Sequence, residues 1–355
     1  MQLAIPFRIE KRIQESRSRQ FAALGLSMLG SLLVSGALIH FAGADILEGF
    51  YALFSGALGD QKALINTLLK STPLLLTSQA AALAFRGNIW NIGLEGQLFA
   101  GAMAGYWAYA SGLPLNSPIF FLIAGFLGGA IWGWIPGILK AKFNVDEIIG
   151  SVMLNYVASY LLSFLLTSAW QQPDSFYHQT ELISTEAHLP LLVQQPPLHV
   201  GFLLALGVSI LVYVLIRWTA LGYKIRAIGT NPKAALFKGI QPKRILVLTL
   251  ALSGGIAGLA GAIELFGFRH RLRPDISPGY GWTGMLIAML AARDPLIVVP
   301  AAIFFGALLN GSRRLQVSTG VPVSLIYVIQ AVILLFLLGS QVIARYQIKR
   351  VSSGK

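Results

Sequence analysis

The chain has 355 residues, 55% of them hydrophobic and 12% charged, with no Cys and a mean hydropathy of +0.68. A soluble domain carries roughly 25% charged residues, so this composition describes an integral membrane protein and excludes disulfides, thiol catalysis and thiolate metal sites. The net charge of +13 does not point to nucleic acid, because the basic residues collect in short segments between apolar runs, the pattern of cytoplasmic loops.

Residues 1–20 are a basic tail with Arg8, Lys11, Arg12, Arg17 and Arg19. The apolar run from Phe21 to Ala42, about 22 residues, exceeds the roughly 7–15 of a signal-peptide core and reads as a retained first span. Further apolar runs begin near Ala63, Ile89, Pro118, Ile148, His199, Ile245, Trp282, Pro295 and Val321. The expected fold is all-α and polytopic, with about 10 transmembrane helices across 21–344 and a short tail over 345–355.

Lys and Arg near the span ends orient such a chain. The 44–62 loop carries Asp45, Glu48 and Asp60 against Lys62, and the 169–198 loop has Asp174, Glu181 and Glu186 with no Lys or Arg. Both are expected outside. Lys140 and Lys142 follow the fourth span. The loop about 217–244 carries Arg217, Lys224, Arg226, Lys233, Lys238, Lys243 and Arg244, and it is expected in the cytoplasm with both termini. Arg269, Arg271, Arg273, Arg313 and Arg314 fall on the outer side of this scheme. Either they line an aqueous vestibule or the helix count is off by one. Arg293, Asp294 and Pro295 fit a tight turn. Gly128 and Gly133 in GGAIWG, and Gly306 and Gly311 in GALLNG, each precede a polar turn. One reading is an inverted five-helix repeat; the other is ordinary helix packing.

The densest polar cluster within a span is RGNIWNIGLEGQLFAG (86–101), with Asn88, Asn91, Glu95 and Gln97. A carboxylate at that depth must face a cavity or a partner, and Gly87, Gly93 and Gly96 suggest a broken or closely packed helix. These residues, with Asn155 and Glu264, are candidates for the translocation path; the alternative is a buried network that locks helices together. Lys70 is expected to snorkel outward, and Glu264 to pair with an outer arginine. SGGIAGLAG (253–261) reads as a close helix contact. The five His show no paired metal spacing, and no GxxxxGK[ST] occurs, so ATP has no P-loop here.

GTNPKAALFKGI (229–240) is a short punctuated helix in the most basic loop. Asn231 can cap it, Pro232 suits its first position, and Gly239 can end it in the left-handed conformation. Leu236 and Phe237 would fill a groove on a cytoplasmic partner; the other reading rests Lys233 and Lys238 on lipid headgroups.

Three stretches in order, FRGNIWNIGLEGQL (85–98), GYKIRAIGTNPKAALFKGI (222–240) and ISPGYGWTGMLIAML (276–290), resemble permease subunits of binding-protein-dependent ABC importers. The group is that for branched-chain amino acids, simple sugars and nucleosides, especially its nucleoside type. The resemblance spans about residues 60–340. It implies an inner-membrane permease of a prokaryote with no catalysis or cofactor of its own, ATP being bound by a cytoplasmic ATPase. Its other partners would be a second permease, either identical or, as favoured, different, an extracytoplasmic binding protein and membrane lipid. It also implies ATPase coupling through Arg226, Gly229, Asn231, Ala234, Ala235, Gly239 and Ile240. The pattern departs at ARDP (292–295), where Ala292 replaces a family Gly. The expected function is passage of a small polar solute, a nucleoside or simple sugar; the alternative is a proton-coupled secondary transporter using Glu95 or Glu264.

Overall fold

A computed structural model describes residues 7–11, 17–112, 117–173 and 175–350, so Arg12, Asp174 and residues 351–355 lie outside the described residues. The chain begins with β1 (Phe7–Lys11), α1 (Arg17–Phe41), α2 (Ile46–Leu58), α3 (Gln61–Arg86), α4 (Leu94–Ala110), α5 (Pro118–Phe143) and α6 (Glu147–Thr167). The middle comprises β2 (Leu191–Val193), β3 (Leu198–His199), α7 (Gly201–Trp218), α8 (Ala220–Thr230), α9 (Pro232–Phe237) and α10 (Pro242–Glu264). It closes with α11 (Tyr280–Leu290), α12 (Pro295–Thr319), α13 (Val323–Arg345) and β4 (Tyr346–Arg350). Every apolar run of the sequence has become a helix. Contacts divide the chain into two units, Ala57–Asn310 and the residues on either side of it.

In the flanking unit α1 packs along α13, and β1 pairs antiparallel with β4, Phe7 opposite Arg350 and Lys11 opposite Tyr346. FRIE and YQIK, the first four residues of each strand, alternate apolar and polar residues, the period of a strand, so the expected tails carry a two-stranded ribbon. The expected 44–62 loop is largely helix. Asp45 and Asp60 flank the largely apolar ILEGFYALFSGAL, which forms α2 with Glu48 in its first turn, its N–H donating to Asp45 Oδ1 at 3.0 Å. Ala52 and Leu53 pack on Leu315. α1 and α2 meet at 113° across a short break.

Among the described residues, α5, α6, α7, α10 and α12 are long and apolar enough to cross a membrane, and the bent α1–α2 pair makes a sixth if counted as one span. The run expected at Trp282 became the 11-residue α11, which rises about 16 Å, half of a hydrocarbon core of roughly 30 Å.

The core of the central unit is α10 packed on α4 and α5. Small residues permit this. A Cβ on Gly258 would lie 2.7 Å from Gly129 Cα and 2.9 Å from its N, and Gly254 meets Gly129 and Gly133 in the same way. SGGIAGLAG and GGAIWG are therefore each other's packing surface, with backbones at a distance no side chain could occupy.

Candidate functional site

The polar stretch 86–101 breaks the helix. α3 ends at Arg86, residues 87–93 turn with Asn88 at φ +53°, and α4 starts at Leu94. The turn leaves backbone groups without helical partners, which must find others when buried. Asn155 on α6 supplies two: its Oδ1 accepts from Gly96 N–H at 2.7 Å and its Nδ2 donates to the Ile92 carbonyl at 2.9 Å. Asn91 Nδ2 donates to Gln97 Oε1 at 2.9 Å, and Gln97 Nε2 returns a bond to Asn91 Oδ1 at 3.0 Å. Ser253 on α10 accepts from Asn91 at 2.8 Å and donates to the Ala80 carbonyl at 2.7 Å. Asn91, Gln97 and Asn155 are buried, whereas Asn88 is exposed and outside the network. Ser253 and Ser151, whose Oγ accepts from Ile92 N–H at 3.3 Å, were not legible as members. Each belongs to another helix, and a lone Ser carries no spacing signal.

Glu95 faces α11. It is 6% exposed, and its Oε2 accepts from Gly281 N–H at 2.6 Å. Ser277 and the amides of Gly279 and Trp282 serve the same carboxylate. A carboxylate at a helix N-terminus meets both free N–H groups and the positive end of the dipole. The fit needs glycine, since a Cβ on Gly281 would fall 2.7 Å from Glu95 Cα.

At the C-terminal end of α10, Glu264 is buried and its Oε1 lies 3.2 Å from Arg269 Nε, one of the arginines proposed as its partner from the sequence. Lys70 Nζ lies 4.5 Å from the Phe268 ring centroid and acts electrostatically on Glu264. Arg271 Nη1 donates to Gln172 at 3.0 Å, and Arg273 lines an open cavity of about 580 Å³ with Tyr177, His178 and Asp275. The acidic 169–198 loop packs on this region. Ile183 N–H donates to the His270 carbonyl at 3.0 Å, and the His188 and His270 rings stack with centroids 3.6 Å apart. Burial, and then the neighbouring His270, lowers the His199 pKa to about 4. Burial, and then His188, lowers His270 to about 4.

At the other end, the expected 217–244 loop contains α8 as well as α9. The density of Lys and Arg hid α8, whose apolar Ile225 and Ile228 are buried. In α9, Asn231 Oδ1 accepts from Ala234 N–H at 3.1 Å, Pro232 is the first helical residue, and Gly239 stands at φ +78°, where an L side chain is strained. What holds this six-residue helix is a small core of Ile89, Ile228, Ala235, Ile240 and Leu250. Ile89 belongs to the α3–α4 break, and Gly229 lies against the Arg86 carbonyl and Gly87. The helix is therefore seated on the same break that the polar network braces. With Ala235 turned in, Leu236 and Phe237 are 60% and 93% exposed.

The family described as branched-chain amino acid transport system, permease component, matches residues 63–338. A glucose ABC transporter permease protein of Haloferax volcanii is 34% identical over 91% of this chain and 88% of its own. A guanosine ABC transporter permease protein of Bacillus subtilis is 32% identical, covering 88% of this chain and 91% of its own. A nucleoside ABC transporter permease protein of Lactococcus lactis is 32% identical, over 85% and 86%. The Bacillus and Lactococcus species each hold a second permease of the same description, 24% and 27% identical to this chain. No solved structure matches it.

Proposed function

The chain belongs to the branched-chain amino acid transport system permease family, a multi-pass, non-catalytic subunit of an ABC importer, and from that premise we propose how it is coupled and what it carries. Its cargo is an uncharged polar solute, a nucleoside or a simple sugar. Support comes from the relatives' guanosine, nucleoside and glucose descriptions. The buried carboxylates Glu95 and Glu264 are already engaged by Gly281 and Arg269, which also leaves the proton-coupled alternative without support. The partners are a cytoplasmic ATPase, an extracytoplasmic binding protein and a second, non-identical permease, as the paired permeases of Bacillus and Lactococcus suggest.

α8 and α9 face the cytoplasm with both termini, the 169–198 segment faces outward, and the chain crosses ten times if the half-length α11 is counted as a crossing. The support is the concentration of Lys and Arg in 217–244. The inverted repeat has the two glycine motifs as its support. Arg226, Gly229, Asn231, Pro232, Ala234, Ala235 and Gly239 build the coupling element, and Leu236 and Phe237 contact the ATPase. Asn91, Gln97, Asn155 and Glu95 brace the break and α11 and do not bind solute, because their polar atoms serve one another and the backbone.

One observation carries the coupling role: a capped helix, anchored beneath by Ala235, leaves two large apolar side chains uncovered by the chain itself. The test is co-elution and substrate-stimulated ATP hydrolysis of the assembled complex. Truncating a packed interface anchor costs about 2 kcal/mol or more, so replacing Leu236 and Phe237 with Ala should weaken association by about thirtyfold or more. An undiminished complex would refute the role.

A further inference from the structure

The helix ends beneath α8 and α9 carry more positive charge than they pair. Arg86 closes α3, Arg217 lies in the last turn of α7, and Arg293 follows α11. Arg86 Nε donates to the Arg293 carbonyl at 2.6 Å and Arg293 Nη1 donates to the Phe85 carbonyl at 3.2 Å, clasping α3 to α11. Asp294 is the carboxylate among them, its Oδ2 3.4 Å from Arg86 Nη2 and 3.8 Å from Arg217 Nη2. Arg226 of α8 acts electrostatically on Arg86 as well, and its Nη1 is buried with no hydrogen-bond partner. Four cations thus stand against one anion, an excess of three. The C-terminal dipoles of α3, α7 and α11 offset part of that excess, but they give Arg226 Nη1 no acceptor and leave the Arg217 side chain 55% exposed.

The surroundings are those of a headgroup layer. Arg217 and Asp294 sit where α7 ends and α12 begins, and both helices are long and apolar enough to cross a membrane. Trp218, next to Arg217, is 76% exposed, and Leu296 and Ile297 at the start of α12 are exposed too. Tryptophan at a span end marks the membrane–water boundary, and basic pockets between span ends suit anionic headgroups. A carboxylate from a soluble protein would have to reach in beside lipid-facing Leu296 and Ile297. A lipid phosphate would lie at that depth, with acyl chains to cover them. We propose that Arg86, Arg217 and Arg226 form a site for the phosphate of an anionic phospholipid, seated between the ends of α7 and α12.

The assembled importer, reconstituted in nanodiscs of phosphatidylcholine with graded phosphatidylglycerol, can be assayed for retained lipid by native mass spectrometry. Phosphatidylglycerol should be retained over phosphatidylcholine and should raise the thermal midpoint. Arg217→Gln should loosen it about fivefold, from roughly 1 kcal/mol per basic residue. Arg217→Lys should restore most of the retention, and Lys233→Gln on exposed α9 should leave it unchanged. Equal retention by wild type and Arg217→Gln would overturn the site. Displacement by millimolar inorganic phosphate would make it a free-anion site and overturn the lipid assignment. Unchanged lipid with weaker ATPase co-elution in Arg217→Gln would hand the cluster to a protein carboxylate, and loss in Lys233→Gln would move the lipid to α9; either result overturns the proposal.

Discussion

Glu95→Ala removes the acceptor on which α11 begins. In the intact protein Oε2 takes the Gly281 N–H at 2.6 Å, with Ser277 and the amides of Gly279 and Trp282 directed at the same carboxylate. At 6% exposure the vacated donors are closed off from bulk solvent. Nor can α11 slide to another acceptor, because Gly281 is already wedged against the Glu95 backbone. A hydrogen bond to a charged group contributes about 1.5–3 kcal/mol, and an orphaned buried donor costs about 1–3 kcal/mol. The expected loss is about 3 kcal/mol, more than a hundredfold in the ratio of folded to unfolded protein. Glu95→Gln keeps one oxygen for Gly281 but turns an amide toward the remaining donors, so about half that loss is expected. Thermal unfolding of the purified permease in detergent measures both variants, and uptake in cells should fall with the folded fraction. If Glu95→Ala unfolds within about 0.5 kcal/mol of wild type, the range of an unremarkable surface change, Glu95 does not hold α11. Loss of uptake at full stability would then put it on the solute path.

Gly258→Ala places a methyl group against Gly125 and Gly129 of α5; backbone must move, at about 1–3 kcal/mol, and the thermal midpoint should drop accordingly. Asn231→Ala removes the bond to Ala234 N–H and should cost about 1 kcal/mol, visible as faster amide exchange across α9 with membrane insertion unchanged. Stability should also depend on pH through His199 and His270, held to about 4 against an ordinary 6.5. Between these values the unfolded chain binds protons that the folded chain does not, so stability is full above about 6.5 and falls as pH drops toward 4. His270→Gln should flatten that slope in a pH series of thermal scans; an unchanged slope would count against these neutral histidines as its source. Reporter fusions should place Lys233 in the cytoplasm and Glu181 outside, and a shared side would end the proposed topology.

The features that the sequence alone determined are those set by neighbours within a few residues. A run of apolar side chains long enough to span oil must be helical, because no water is there to satisfy its backbone, and each such run became a helix. The end signals of α9 are equally local: the Asn231 oxygen reaches a donor three residues on, and Gly239 needs nothing but its own freedom at φ +78°. Loops judged by charge alone were less legible, since α2 and α8 each bury an apolar face that a few acidic or basic residues disguise. The tight turn at Arg293 and Asp294 was readable from its Pro, but not that Ala292 and Arg293 would both take positive φ, at 50° and 64°. The site was half visible. Polar residues deep in a span had to find partners, which singled out Asn91, Glu95, Gln97, Asn155 and Glu264, yet nothing in the order of residues says which partners. Glu95 meets Gly281 across 186 positions and Asn91 meets Ser253 across 162. Such pairings follow from which helices touch. Backbone approach at glycines decides that, at Gly129 and Gly258 between α5 and α10 and at Gly281 where α11 meets Glu95.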